Sequence, residues 1–254
     1  MKIAIIGAGS IGSAIAFRLS TKGHTVNVSN PSQGKLDSLK AANPDINVTT
    51  SNLKCISGAE IIFICVKPHM VSAVISEIRN RIDDRIVVSV AAGIGLSALR
   101  EMIGGDSPIF YAIPNTAITT GESMTFICSQ FASDKDEKAV LGLFDLMGKS
   151  MKIEESRMGA YMALSSCGIA YALRYIRAAM SGGIEMGLRA DMAQEVICQT
   201  VIGAASLLSD GKSHPEKEID KVCTPGGYTI KGLNAMEAEG FTAAVISGLK
   251  ASRI

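Results

Sequence analysis

From residue 2 to about residue 130, short runs rich in Ile and Val alternate with segments whose polar positions recur at helical spacing. The runs fall at 2–6, 25–28, 46–49, 60–66, 85–90, 108–112 and 123–128. Strands alternating with helices are the signature of repeated βαβ units and a parallel sheet. Segments 34–42 and 68–82 read as helices, the second with Pro68 in its first turn, where no amide hydrogen is missed. A helix at 134–147 and a strand at 149–153 complete this half.

After Glu154 the β-branched runs give way to long helical periodicity in Ala, Met and Leu. Within 190–209, Ala193, Val196, Ile197, Val201, Ala204 and Leu208 share one face. The pattern predicts helices over 156–187, 190–209, 228–238 and 241–252, a loop through Ser213-His214-Pro215 and a glycine-rich turn at 224–227. The boundary is expected at 150–156, giving domains 1–154 and 155–254. Residues 156–209 carry more apolar helical surface than a small domain can cover by itself, which predicts a dimer built by the second half.

Composition narrows the function classes. The 254 residues carry 25 Lys and Arg against 24 Asp and Glu, a net charge of +1, so no basic surplus marks a nucleic-acid binder. With no Trp and 5% aromatics, stacking platforms for bases or sugars are not expected. The longest apolar run, 61–66, is far short of the roughly 18 residues of a membrane span. The six cysteines form no Cys-x-x-Cys pair and read as thiols in a reducing cytoplasm. His24, His69 and His214 lie apart from any ligand spacing, so no metal is assigned.

Chemistry enters at the N-terminus. The strand 2–6 runs into Gly7-Ala8-Gly9-Ser10-Ile11-Gly12 and then into an apolar helix. In a G-x-G-x-x-G loop, Gly7 makes the tight turn, Gly9 lets a pyrophosphate approach the backbone, and Gly12 lets helix and strand pack closely. The amides of Ser10 and Ile11 then belong to a helix N-terminus facing the phosphates. At the end of the second strand, an acid would accept hydrogen bonds from the NAD ribose and repel a 2′-phosphate. Here stands Ser29-Asn30-Pro31-Ser32-Gln33-Gly34-Lys35, and Asn30, Ser32 and Lys35 favour NADPH, with NADH as the second cofactor. An ordinary polar loop capped by Ser32 or Asn30 is the alternative.

Three further edges lie at strand ends: Val66-Lys67-Pro68, Ala91-Ala92-Gly93, and Ile113-Pro114-Asn115-Thr116. In a sheet of this kind such positions border the cofactor, so Val66, Lys67, Pro68, Ala92, Gly93 and Asn115 join the candidate site. In the helical half, Thr224-Pro225-Gly226-Gly227-Tyr228-Thr229 leads into an amphipathic helix. Its unsatisfied amide hydrogens suit a carboxylate or other small anion. An interhelical turn is the structural alternative.

Together these segments resemble the pyrroline-5-carboxylate reductase family over essentially the whole chain. The most specific match is Thr224 to Ile230 with Leu233 and Glu237 following. The resemblance implies an α/β Rossmann-type N-terminal domain and an all-α C-terminal dimerisation domain. It further implies NAD(P)H-dependent reduction of 1-pyrroline-5-carboxylate to L-proline in the cytoplasm by a homodimer or a ring of dimers. Thr224, Gly226, Gly227 and Tyr228 would then hold the imino-acid substrate, with its carboxylate on the glycine-turn amides, and Thr229 would contact the imine nitrogen. The chain departs from the family at Ser166-Cys167-Gly168-Ile169, where relatives read Gly-Ser-Gly-Pro, and at Lys212 and Lys221, where relatives carry an acid and an Asn. A reductase of a related cyclic imine or small carbonyl compound is one alternative. A dinucleotide-binding regulatory protein without turnover is another.

Overall fold

Lys2–Ile6 forms β1, and the alternation of its side chains feeds two separate cores. Ile3 and Ile5 enter one, Ala4 and Ile6 the other, and all four are buried. A strand apolar at consecutive positions is what a sheet covered on both faces requires. The computed structural model describes residues 1–82 and 84–253, in two compact units, Met1–Ser166 and Cys167–Ile254.

In the first unit β1 is followed by α1 (Ser10–Thr21), β2 (Thr25–Ser29), α2 (Gln33–Ala42), β3 (Asn47–Thr49), α3 (Asn52–Cys55) and β4 (Ile61–Ile64). Next come α4 (Val71–Ile78), β5 (Ile86–Ser89), α5 (Leu96–Ile103), β6 (Ile109–Ile113), β7 (Ser123–Gln130), α6 (Asp134–Asp145), β8 (Gly148–Lys152) and α7 (Met158–Met162). The strands form one sheet in the order β3-β2-β1-β4-β5-β6-β7-β8. One core packs α1, α2 and α6 through Ile15, Leu19, Leu36 and Phe144; the other packs α4, α5 and α7 through Ile75, Leu99 and Met158. Because β1 pairs with β2 on one side and β4 on the other, the winding reverses there. A crevice therefore opens beyond the carboxyl ends of β1 and β4, where open α/β sheets bind ligands.

The expected all-parallel sheet needs one correction, because β7 runs antiparallel to β6, pairing Ile113 with Phe126. The link from Ile113 to Ser123 holds only a short 3₁₀ turn, Thr116–Thr119, and is shorter than the dozen or so residues of a parallel crossover. The segment expected as one helix over 156–187 is also divided. After α7, a π-helical turn at Ala163–Cys167 precedes α8 (Gly168–Glu185). Ser165 in that turn takes a hydrogen bond from Asn115 Nδ2 at 3.0 Å and donates to the Met124 carbonyl at 3.4 Å.

The second unit is helical: α8, α9 (Ala190–Ser206), α10 (Pro215–Val222), α11 (Tyr228–Ala238) and α12 (Phe241–Ala251). The loop expected through 213–215 gives way at once to α10. Pro215 opens it, the His214 ring accepts from the Glu216 amide at 3.3 Å, and Glu216 and Glu218 lie in the first turn. Among the described residues of this unit, Ala193 is the only buried hydrophobic side chain. Leu173, Met186, Val196, Ile202 and Leu207 are all exposed.

Candidate functional site

The three motif glycines have different reasons to be glycine. Gly7 has φ +111°, donates to the Ser29 carbonyl at 2.8 Å, and would bring a Cβ within 2.5 Å of the Cys65 carbonyl oxygen. A Cβ on Gly12 would stand 2.0 Å from the Gly7 carbonyl oxygen, so α1 and the loop touch through backbone. Gly9 is unlike both: its φ of −82° suits any residue, and among the described residues no atom beyond its own chain neighbours lies within 4 Å of where its Cβ would be. Nothing in the protein requires a glycine there, whereas a side chain would project into space at the α1 N-terminus. That is the cradle a dinucleotide pyrophosphate needs. The first-turn amides of α1, those of Ser10, Ile11 and Gly12, have no intrahelical acceptor.

A pocket of about 470 Å³ runs beside this loop, lined by Gly7, Gly9, Asn30, Ser32, Lys35 and Val66 among others. Lys35 is exposed in the first turn of α2, whose N-cap is Ser32 without a side-chain capping bond. Asn30 caps nothing; its Oδ1 accepts from the Ala8 amide at 3.2 Å and ties the glycine loop to the end of β2. The same pocket wall contains Thr50, Asn52 and Glu77, which the sequence pattern does not single out. Thr50 and Asn52 come from the junction of β3 and α3, Glu77 from α4 some twenty-five residues on, and no motif announces their meeting.

The remaining strand-end residues sit where the winding predicts. Val66 and Lys67 follow β4, and Pro68 opens the 3₁₀ turn Pro68–Met70 that leads into α4. Cys65 lies against Gly12 through its Cβ, and burial pushes its thiol far above the ordinary range. Ala92 and Gly93 are exposed after β5, and the Gly93 amide donates to the Tyr111 hydroxyl at 3.0 Å. Burial, chiefly, pushes the Tyr111 phenol up, against the Gly93 bond, which pulls it down. Asn115 is buried, its Oδ1 accepting from the Ala117 amide and its Nδ2 donating to Ser165, both at 3.0 Å. Its side chain is a brace for the loop after β6.

In the second unit, Gly226 has φ +72° and lets Thr224-Pro225-Gly226-Gly227 close with the Gly227 amide on the Thr224 carbonyl at 2.9 Å. A Cβ on Gly227 would meet Thr224 Oγ1 at 2.5 Å. The Gly227 amide is therefore occupied by the turn itself. The free donors at this helix start are the first-turn amides of α11, beginning at Tyr228 and Thr229. Both side chains are exposed, Tyr228 at 94%. Lys212 pairs with Asp210 at 3.5 Å and Lys221 with Glu218 at 2.7 Å, so both cations that depart from the family are matched locally. Ser166, in the π-helical turn, has a buried hydroxyl with no partner.

Residues 155–253 match the family described as pyrroline-5-carboxylate reductase dimerisation, and residues 2–93 match NADP oxidoreductase, coenzyme F420-dependent. Pyrroline-5-carboxylate reductase 2 of Dictyostelium discoideum is 35% identical, over 97% of this chain and 89% of that protein. Pyrroline-5-carboxylate reductase 1 of the same organism is also 35% identical over 98% of this chain, which spans 48% of its length. The crystal structure of Plasmodium falciparum pyrroline carboxylate reductase with NADP bound superposes with a TM-score of 0.89 at 26% identity, covering 99% of this chain and 95% of that one. Among the described residues, no helix is long and apolar enough to cross a membrane. With full-length relatives at this identity and the same two-part architecture, the chain belongs to the pyrroline-5-carboxylate reductase family.

Proposed function

We propose that the chain reduces 1-pyrroline-5-carboxylate to L-proline, the last step of proline biosynthesis, with NADPH as donor and NADH as a poorer one. Family membership gives the reaction, and the observation that carries the cofactor is Gly9, whose missing side chain serves no protein contact. The Gly9, Ser10 and Ile11 amides take the pyrophosphate, and Ser32 and Lys35 take the 2′-phosphate. Val66, Lys67, Pro68, Ala92 and Gly93 form the rim beyond β4 and β5, with Asn115 bracing its neighbour loop. When bound, the cofactor supplies a hydride. The chain's own contribution is to hold the imine carbon in place and to polarise C=N.

The first-turn amides of α11 bind the substrate carboxylate, and the Thr229 hydroxyl orients the imine nitrogen. Reduction of C=N to CH–NH consumes one hydride and one proton. An alcohol is too weak an acid to give that proton unaided, so Thr229 relays it from water. The catalytic unit is a homodimer, since the second unit leaves its apolar helix faces uncovered. A ring of dimers is the larger assembly the resemblance implies. Cytoplasmic work fits six free cysteines.

Mixing the purified full-length chain with NADPH and pyrroline-5-carboxylate, following nicotinamide absorbance and detecting proline, tests the reading. Turnover with proline formation is expected. Cofactor binding without turnover, or turnover only with other imines or ketones, would overturn it. Light scattering at micromolar concentration reads the assembly, and a monomer mass would remove the dimer.

A further inference from the structure

Three side chains from three elements form a chain in the wall of the first unit's pocket: Ser29 at the end of β2, Asn52 at the start of α3, and Glu77 near the end of α4. Ser29 Oγ donates to Asn52 Oδ1 at 2.7 Å, and Asn52 Nδ2 donates to Glu77 Oε2 at 2.7 Å. Ser29 is buried, its backbone carbonyl already takes the Gly7 amide, and Glu77 is exposed on the pocket side of the chain. A carboxylate accepts and never donates, so Glu77 dictates that the amide nitrogen faces it and the amide oxygen faces Ser29. That leaves Asn52 one N–H and one oxygen lone pair in a fixed orientation.

We propose that Glu77 is a positioning residue for the cofactor, acting through Asn52, and that it serves NADPH and NADH alike. The proposal rests on the cofactor assignment above. The end of β2 is where this class of sheet recognises the ribose of the adenosine half, and Asn52 is bonded to the residue that ends β2. A neutral amide has no reason to favour a 2′-phosphate over a hydroxyl, since it offers a donor and an acceptor to either. Selectivity between the two cofactors then belongs to Lys35 and Ser32, and the Ser29-Asn52-Glu77 chain adds to the affinity for both. Without Glu77, the Asn52 amide rotates freely between its two orientations, and the pocket loses a preset donor.

A structural staple between α3 and α4 would use the same hydrogen bond, and the test separates the two roles. NADPH and NADH are titrated against the full-length wild type, Glu77→Ala and Glu77→Gln, with kcat at saturating cofactor and the melting temperature of the cofactor-free protein measured alongside. Glu77→Ala should raise Kd for both cofactors by roughly fivefold, the scale of one hydrogen bond, and leave kcat unchanged. Glu77→Gln presents either an oxygen or an amide nitrogen to Asn52, so it fixes the orientation only in part, and its Kd should lie between those of wild type and Glu77→Ala. A lower melting temperature with unchanged Kd would make the contact a staple and overturn the proposal. Equal losses in the two variants would make the charge the agent and overturn it as well. A wild type that binds neither cofactor would remove the cofactor assignment itself, a result distinct from failure of the variants alone.

Discussion

The Gly12 backbone lies against the Gly7 carbonyl so closely that a Cβ on Gly12 would stand 2.0 Å from that oxygen, whereas among the described residues a Cβ on Gly9 would meet no atom beyond its chain neighbours within 4 Å. The two alanine substitutions should therefore fail differently. Gly12→Ala must push α1 off the loop and should cost on the order of 3 kcal/mol of stability, seen as a lower melting temperature without cofactor. Gly9→Ala should melt like wild type and lose NADPH affinity, because its methyl occupies the approach to the first-turn amides of α1. A Gly9→Ala protein that binds NADPH normally would show that the cofactor does not use this face.

The same contrast shows how far the sequence could be read. The strand runs, the glycine loop and the change to helix after Glu154 carry their own periodicity, and they fold as that periodicity requires. The antiparallel β7 was legible too, but in the shortness of the link after Ile113 rather than in its composition. Helix α10 hides because only Ile219 and Val222 are apolar in Pro215–Val222; its signal is Pro215 followed by acids, a helix start and not a hydrophobic stripe. Asn52 and Glu77 were invisible, since their meeting depends on how α3 and α4 pack and not on any spacing. The π-helical turn at Ala163–Cys167 likewise has no spacing signal, and its Ser165 bonds to Asn115 and Met124, some forty to fifty residues earlier in the chain.

Lys35 is an exposed cation in the pocket wall near Ser32, as Lys67 is beyond the end of β4, and no acid stands at the end of β2. Lys35→Glu should lower kcat/KM for NADPH by about 1 kcal/mol, roughly fivefold, because an exposed charge is screened by water. The value for NADH should hold. Steady-state kinetics with both cofactors decide this, and a wild type equally efficient with NADH would contradict the role given to Lys35.

Cys128 is buried with its Sγ 3.6 Å from the Tyr111 carbonyl, and burial, with the Glu155 carboxylate adding to it, pushes its thiol up to about 12 from an ordinary 9.0. Between those two values the folded chain keeps a proton that the unfolded chain has released. Stability must then fall as pH rises from about 9 toward 12. Cys128→Ala removes this contribution, so its melting temperature should decline less steeply than that of wild type over pH 9 to about 11. Parallel declines in the two proteins would show that Cys128 ionises normally.

Thr229 is the second residue of α11, exposed, with no hydrogen bond among the described residues, and the turn below it has already used the Gly227 amide. Its hydroxyl is thus free to serve a bound molecule, while the local alternative is simple helix entry beside Tyr228. Thr229→Val keeps the branched shape and removes only the hydroxyl. If the hydroxyl orients the imine nitrogen and relays its proton, kcat and kcat/KM for pyrroline-5-carboxylate should fall together by roughly 10²-fold, the lower range for a positioned acid–base group. The Kd for NADPH should stay at the wild-type value, because the glycine loop and its pocket belong wholly to the first unit. A Thr229→Val enzyme with near-wild-type kcat would return Thr229 to a helix-entry role and leave the α11 amides as the chain's whole means of holding the substrate.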